Sequence, residues 1–311
     1  MKKNRTRATF FSFSAFFLMV AIATAFSSCQ YYSYGLDEFL YRSNTVDKRA
    51  DTLQNLGDMD VGGRKKFSVL ITTDVHFGGE NMGKNGDRPE DSFKEWLLDY
   101  KATTQADGTA DELYPAFAIC LGDVAEHGLN EEFSDYEKFT DSLNMPEFGN
   151  IRTFNVVGNH DLYNAGWGGY KKHCAPYTSF YKFRTEGMTW YFVDSASGSL
   201  GNAQLTSLSR DMKYNEKGRK KLVFTHIPAY AGGLFYFVMQ NSTERNKFIS
   251  LLAEQDTLAL IDGHTHKEIT SDLGFTEWNL PGFLEKRGWA ILTVDATDAA
   301  HPTVKMKVIY L

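Results

Sequence analysis

Five short stretches of this chain carry the side chains best suited to bind a metal or move a proton. They are Asp74-Val75-His76, Gly122-Asp123, Gly158-Asn159-His160-Asp161, His226, and Asp262-Gly263-His264-Thr265-His266. Five of the eight histidines fall in them, so imidazole is concentrated rather than scattered. Carboxylate oxygen, amide oxygen and imidazole nitrogen together suit borderline divalent ions such as Zn, Mn, Fe or Co. Cys29, Cys120 and Cys174 form no CxxC pair, so neither a disulfide framework nor a thiolate zinc site is indicated. Each stretch alone has an ordinary reading: Asp-x-His and Gly-Asp are common turns, and His226 before Ile227-Pro228 reads as a capped loop histidine.

What separates them from chance is where they stand. Apolar, β-rich runs at 67–73, 116–121, 151–157, 221–225 and 258–261 each end at one of the five. In α/β sheets ligands bind at the C-terminal edge of the strands. Seven side chains, Asp74, His76, Asp123, Asn159, His226, His264 and His266, are therefore expected to converge on one metal site. Glycines at 122, 158 and 263 permit tight turns and close backbone approach there. Around these strands the pattern predicts helices over 89–102, 131–143, 202–214 and 241–255, the last started by Ser242 or Thr243. A hairpin is expected around Glu186-Gly187, and strands follow at 269–272, 275–279, 290–294 and 303–310. The expected fold is α/β: two mixed β-sheets packed as a sandwich, flanked by helices, forming one catalytic domain over 67–311.

The order DxH, GD, GNHD, H and GHxH resembles the calcineurin-like metallophosphoesterase superfamily, with every core motif present between Asp74 and His266. Carried over by position, the resemblance implies a αββα fold and a dinuclear site. Asp74, His76 and His266 would hold one divalent transition-metal ion, Asn159, His226 and His264 the other, and Asp123 would bridge them. It implies a hydrolase in which a metal-bridging hydroxide attacks phosphorus in line. His160 would assist the leaving group and Asp161 would orient its ring. Asp262 is read as a turn residue or a partner to a ligand histidine.

Residues 1–29 belong to a different kind of segment. Lys2, Lys3, Arg5 and Arg7 precede an apolar stretch over 10–26, and Ser27-Ser28-Cys29 follows. This resembles a bacterial lipoprotein signal, implying export and a membrane anchor on a lipidated Cys29. An uncleaved anchor or an ordinary cleaved signal is the other reading. Residues 30–66 are expected to form a tether with a helical piece around 37–56, its Asp47, Arg49 and Asp51 solvated. Without the first 29 residues, 29 basic side chains face 39 acidic ones, a formal charge of −10. Such a body has no general attraction for nucleic acid.

The substrate is expected to be a small phosphorylated molecule, a phosphodiester or phosphomonoester. Purple acid phosphatases carry a metal-binding tyrosine where this chain has Glu126. The related bacterial nucleotidases have GNHE for GNHD and a large C-terminal domain, whereas 45 residues follow His266 here. Thr225-His226-Ile227-Pro228 and the Gln204-Leu205-Leu208 pattern look closer to the small bacterial phosphodiesterases. Trp167, Tyr170 and Lys171, and Tyr230 at the head of an aromatic stretch over 230–239, are candidate substrate contacts. Phe235, Tyr236 and Phe237 are expected to pack as core, a lipid-facing lid being the rival reading. The alternatives are a hydrolase of phospholipid or cell-wall phosphoesters, and a non-catalytic surface lipoprotein that keeps the fold.

Overall fold

A computed structural model describes residues 43–80, 87–106 and 113–311. The lipoprotein-signal reading, including Cys29, lies outside them, as do parts of the loop over 78–86 and the insertion over 103–112. Among the described residues, no helix is long and apolar enough to cross a membrane.

Two sheets face each other. The first has five strands: β2 (Lys66–Thr72), β3 (Pro115–Cys120), β4 (Thr153–Asn155), β11 (Gly288–Asp295) and β12 (Thr303–Tyr310). Their order is β12-β11-β2-β3-β4, with β2, β3 and β4 parallel and β11 antiparallel to β2. The second sheet runs β1-β5-β6-β7-β8-β10-β9. Its members are β1 (Gln54–Asp58), β5 (Tyr181–Thr185), β6 (Met188–Phe192), β7 (Lys220–Phe224), β8 (Thr257–Asp262), β9 (Ile269–Asp272) and β10 (Thr276–Asn279). Here β6, β7, β8 and β10 are parallel.

Alternation along the strands builds the layers. Phe67, Val69 and Ile71 of β2 pack inward with Phe117, Phe154, Trp190, Phe192, Phe224 and Ile261 to form the core between the sheets. Leu70, Ala118 and Cys120 point the other way. They lie under α2 (Pro89–Ala106), α3 (Asn130–Leu143) and α4 (Trp167–His173), which contribute Phe93, Phe133 and Tyr170. The outer face of the second sheet, with Tyr191, Val223 and Leu260, is covered by α1 (Ser43–Arg49), α5 (Asn202–Arg210) and α6 (Ser242–Glu254). Sheets covered on both faces need near-continuous apolar strands, which is why the runs were legible as buried. The architecture is the expected four-layer α/β sandwich.

Three details differ from expectation. Residues 43–58 are not a tether: α1 is followed by β1, which pairs in parallel with β5 at the sheet edge. Val46 and Ala50 are fully buried. Arg49 is not solvated either; its Nε and Nη2 donate to the Asp194 carboxylate at 3.1 and 3.3 Å, and Nη2 also to Ser197 Oγ at 2.9 Å. Asp47 accepts from the Ala203 amide at the start of α5. A seven-residue helix is too short to show an apolar stripe, so only its docking reveals it. The cap of α6 is Asn241, whose side chain accepts from Glu244 N, rather than Ser242 or Thr243. A short helix, α7 (Phe283–Lys286), lies beside the β2 end, where Phe283 N and Leu284 N donate to Thr73 O and Asp74 O.

Candidate metal centre

The C-terminal ends of β2, β3 and β4 in one sheet meet those of β7 and β8 in the other. Backbone bonds tie the loops in pairs within each sheet: Asp74 N donates to Gly122 O, His76 N to Asp123 O, and Gly263 N to His226 O. Gly122 sits at φ +99°, in the region where a side chain is strained. A Cβ on Gly158 would collide with the amide and carboxylate of Asp123, so the β3 and β4 loops nest only because that position is glycine. Asp74, His76, Asp123, His264 and His266 all adopt left-handed backbone, with φ between 49° and 66°. Such conformations cost about 1–3 kcal/mol each and gather where the surrounding fold over-determines a site.

The structure brings all seven expected side chains together, and they fall into overlapping groups. Asp74, His76 and His266 form one; Asp123, His226 and His264 another; His76, Asp123 and His160 join the two. Asp74 Oδ1 lies 3.1 Å from His266 Nε2 and 3.9 Å from His76 Nε2, and those two nitrogens are 3.4 Å apart. On the other side His226 Nε2 is 3.0 Å from Asn159 Oδ1 and 3.2 Å from Asp123 Oδ2. Asp123 Oδ2 also stands 4.0 Å from His76 Nε2, between the two groups.

What lies behind each imidazole determines what it can hold. His76 Nδ1 is 2.8 Å from Glu126 Oε2, His266 Nδ1 is 2.8 Å from Glu285 Oε2, and His226 Nδ1 is 2.8 Å from Leu121 O. Carboxylate and carbonyl oxygens only accept, so Nδ1 of His266 and of His226 carries a proton and each Nε2 turns its lone pair inward. Lone pairs thus face carboxylate and amide oxygens, acceptor against acceptor. Asp74 Oδ1 is buried and has no hydrogen-bond donor. That arrangement is unfavourable unless a cation sits between, so the residues present fit divalent metal ions.

Protons supply that charge when no metal does. Burial pulls both His226 and His266 down, but the Asp123 carboxylate beside His226 and the Asp74 carboxylate beside His266 push each up to about 9. His264 goes the other way, to about 4, through burial and the nearby His226 charge. Burial alone would raise Asp74 and Asp123; the surrounding histidines hold both below the usual carboxylate range.

His160 is held differently. Its ring Nδ1 donates to Glu126 O at 2.7 Å, its backbone amide donates to Asp123 Oδ1 at 2.8 Å, and its ring meets the edge of His76 at 4.7 Å. Asp161 does not orient that ring. Its two oxygens accept from the amides of Ala125 and Gly158 at 3.0 and 2.8 Å, stitching the β3 loop to the β4 loop. Burial and the Asp123 charge raise its carboxyl to about 7. Asp262 is likewise remote from the ligand nitrogens; it accepts from Asn279 Nδ2, which also holds Gly263 O.

Sequence reasoning missed Glu126 and Glu285 as partners of ligand histidines. Glu126 is signalled only by lying three residues after Asp123. Glu285 had no signal, because α7 is brought to His266 by tertiary packing. Of the candidate substrate contacts on α4, Tyr170 is corrected, because it is fully buried; Trp167 is half-buried and stacks on it beneath the Arg49 guanidinium, and Lys171 is exposed. The expectation of core packing at 235–237 is also overturned: Phe235, Tyr236 and Phe237 are 59%, 93% and 44% exposed. Tyr230 is partly buried, edge-on to Phe235.

The sequence pattern of the calcineurin-like phosphoesterases matches residues 67–268, from the start of β2 to just beyond His266. The chain belongs to that family. A curated relative, the probable glycerophosphodiester phosphodiesterase GpdQ of Arcobacter nitrofigilis, is 26% identical over 176 residues. The match takes in 53% of this chain and 60% of that protein's length. Among solved structures, a dimetal phosphatase from Danio rerio is 13% identical with a TM-score of 0.47, covering 78% of this chain and 98% of its own. A putative 5'-nucleotidase from Staphylococcus aureus is 13% identical with a TM-score of 0.48, covering 79% and 54%.

Proposed function

We propose that this family member is a dinuclear-metal phosphoester hydrolase acting on small phosphodiesters. The observation that carries the reading is the inward-facing set of acceptors, with Asp123 standing between two groups of ligands. Asp74, His76 and His266 would hold one ion, Asn159, His226 and His264 the second. Divalent ions bound there supply Lewis-acid neutralisation of phosphoryl oxygens and make water acidic enough to serve as nucleophile near neutral pH. Asp74 and Asp123 bring two negative charges against about four positive ones, and that surplus favours an anionic phosphoester.

The chain's own residues perform the remainder. Asp123 Oδ1 fixes the His160 amide, and Glu126 O fixes the His160 ring with its proton on Nδ1. Nε2 is thereby left to deliver or take a proton at the leaving oxygen. Glu126 also backs His76, so one residue positions both a ligand and the proton donor. The printed name of the Arcobacter relative favours diesters over monoesters. Export and anchoring through Cys29 are part of the same proposal.

The test is a substrate panel run on metal-reconstituted protein beginning after Cys29. Bis-p-nitrophenyl phosphate is expected to turn over faster than p-nitrophenyl phosphate. Two bound metals with no turnover of any phosphoester would overturn the reading in favour of a binding module.

A further inference from the structure

The segment after His226 exposes apolar rings that a soluble surface gains nothing by showing. It is also held firmly. Glu277, itself buried, accepts from the amides of Ala229, Tyr230 and Ala231 at 2.9, 2.8 and 2.7 Å, and Gly232 N donates to Ser271 Oγ. Arg245 lies 5.9 Å over the Phe235 ring and donates to Met239 O. A buried carboxylate committed to three backbone amides fixes this loop relative to β10, and β10 pairs with β8, the strand that leads to His264 and His266. The consequence is that the Phe237 ring stands 6.3 Å from the ring of His264, edge to face, while remaining 44% exposed. Across the cluster, Tyr163 packs at 4.5 Å on His160.

We propose that Phe237 is the wall of a substrate subsite, taking a planar or aromatic group carried by the phosphoester. This rests on the phosphoester reading of the metal centre. A phosphoryl group held by the His264 side of the cluster leaves its organic substituent beside Phe237, whose exposed ring offers stacking area. Stacking of a planar group on such a ring is worth on the order of tenfold in affinity.

The test is a titration of the manganese-loaded protein with two inert probes, phenylphosphonate and methylphosphonate. Wild type is expected to bind phenylphosphonate about tenfold more tightly than methylphosphonate. Phe237→Ala is expected to remove that preference while leaving methylphosphonate affinity and metal content within twofold, and Phe237→Trp to restore it. Equal binding of both probes by wild type overturns the subsite and leaves the phosphoester reading standing. Failure to bind either probe overturns both. The proposal also falls if Phe237→Ala keeps the phenyl preference but loses sedimentation with phosphatidylethanolamine–phosphatidylglycerol vesicles, since the loop would then be a lipid contact.

Discussion

His160 is anchored by a carbonyl and by the hydrogen bond its amide donates to Asp123, whereas its neighbours His76 and His266 are backed by carboxylates. The Asp74 and Asp123 groups each offer three ligand atoms without His160. His160→Ala should therefore keep its metal content by elemental analysis and lose about two to four orders of magnitude in kcat. Metal loss in that variant would make His160 a ligand instead. The protonation of the metal-free site gives a second expectation. With folded-state values near 9, His226 and His266 hold protons at pH 7 and release them when a cation takes their lone pairs. Metal affinity should rise with pH up to about 9 and level beyond it. Calorimetry at pH 7 in buffers of different ionisation enthalpy should show proton release on binding; zero release contradicts the assignment.

Among the elements, α1 shows how a short polar segment becomes part of a core. Its Val46 and Ala50 fill space beside Phe180 and Leu208, and Arg49 neutralises Asp194, which is fully buried at the end of β6. The loop that begins at Asp194 also supplies Ser195 Oγ to the amides of His226 and Ile227. Arg49→Ala strands a buried carboxylate and should cost about 3–5 kcal/mol in urea unfolding. Because Asp194 leads directly to Ser195, metal affinity should fall with it. A change below 1 kcal/mol would show that the ion pair is dispensable.

At the scale of the molecule, acid stability depends on a network far from the metal. Glu216 is fully buried at the edge of the second sheet and receives Lys182, Arg184 and Thr189 Oγ1. Burial raises its carboxyl, but those donors outweigh burial and lower it to about 2 from 4.5. Its contribution is therefore complete above pH 4.5 and is lost as pH falls toward 2. Glu216→Gln should lower Tm at pH 7, and the gap to wild type should close steadily between pH 4.5 and 2. A gap that is constant across that range would assign the loss to packing rather than charge.

The residue types and their order along the chain were enough to name the seven side chains that the fold gathers at one edge, and the two-sheet class. Each strand that leads into the site is a local apolar run, and each ends in a polar or glycine residue that cannot continue it. Strand-end position is a property of neighbours in sequence, so it survives without tertiary information. The partners behind the ligands were not legible in the same way. Glu285 reaches His266 across 19 residues, Asp161 turned out to hold two amides rather than a ring, and β1 found β5 more than 120 residues away. Exposure of Phe235–Phe237 was equally hidden, because their composition matches a core segment. Those outcomes depend on which loop edges face each other once the sheets close, and on the buried Glu277 that pins the aromatic loop outward. Only the packed molecule determines such distances.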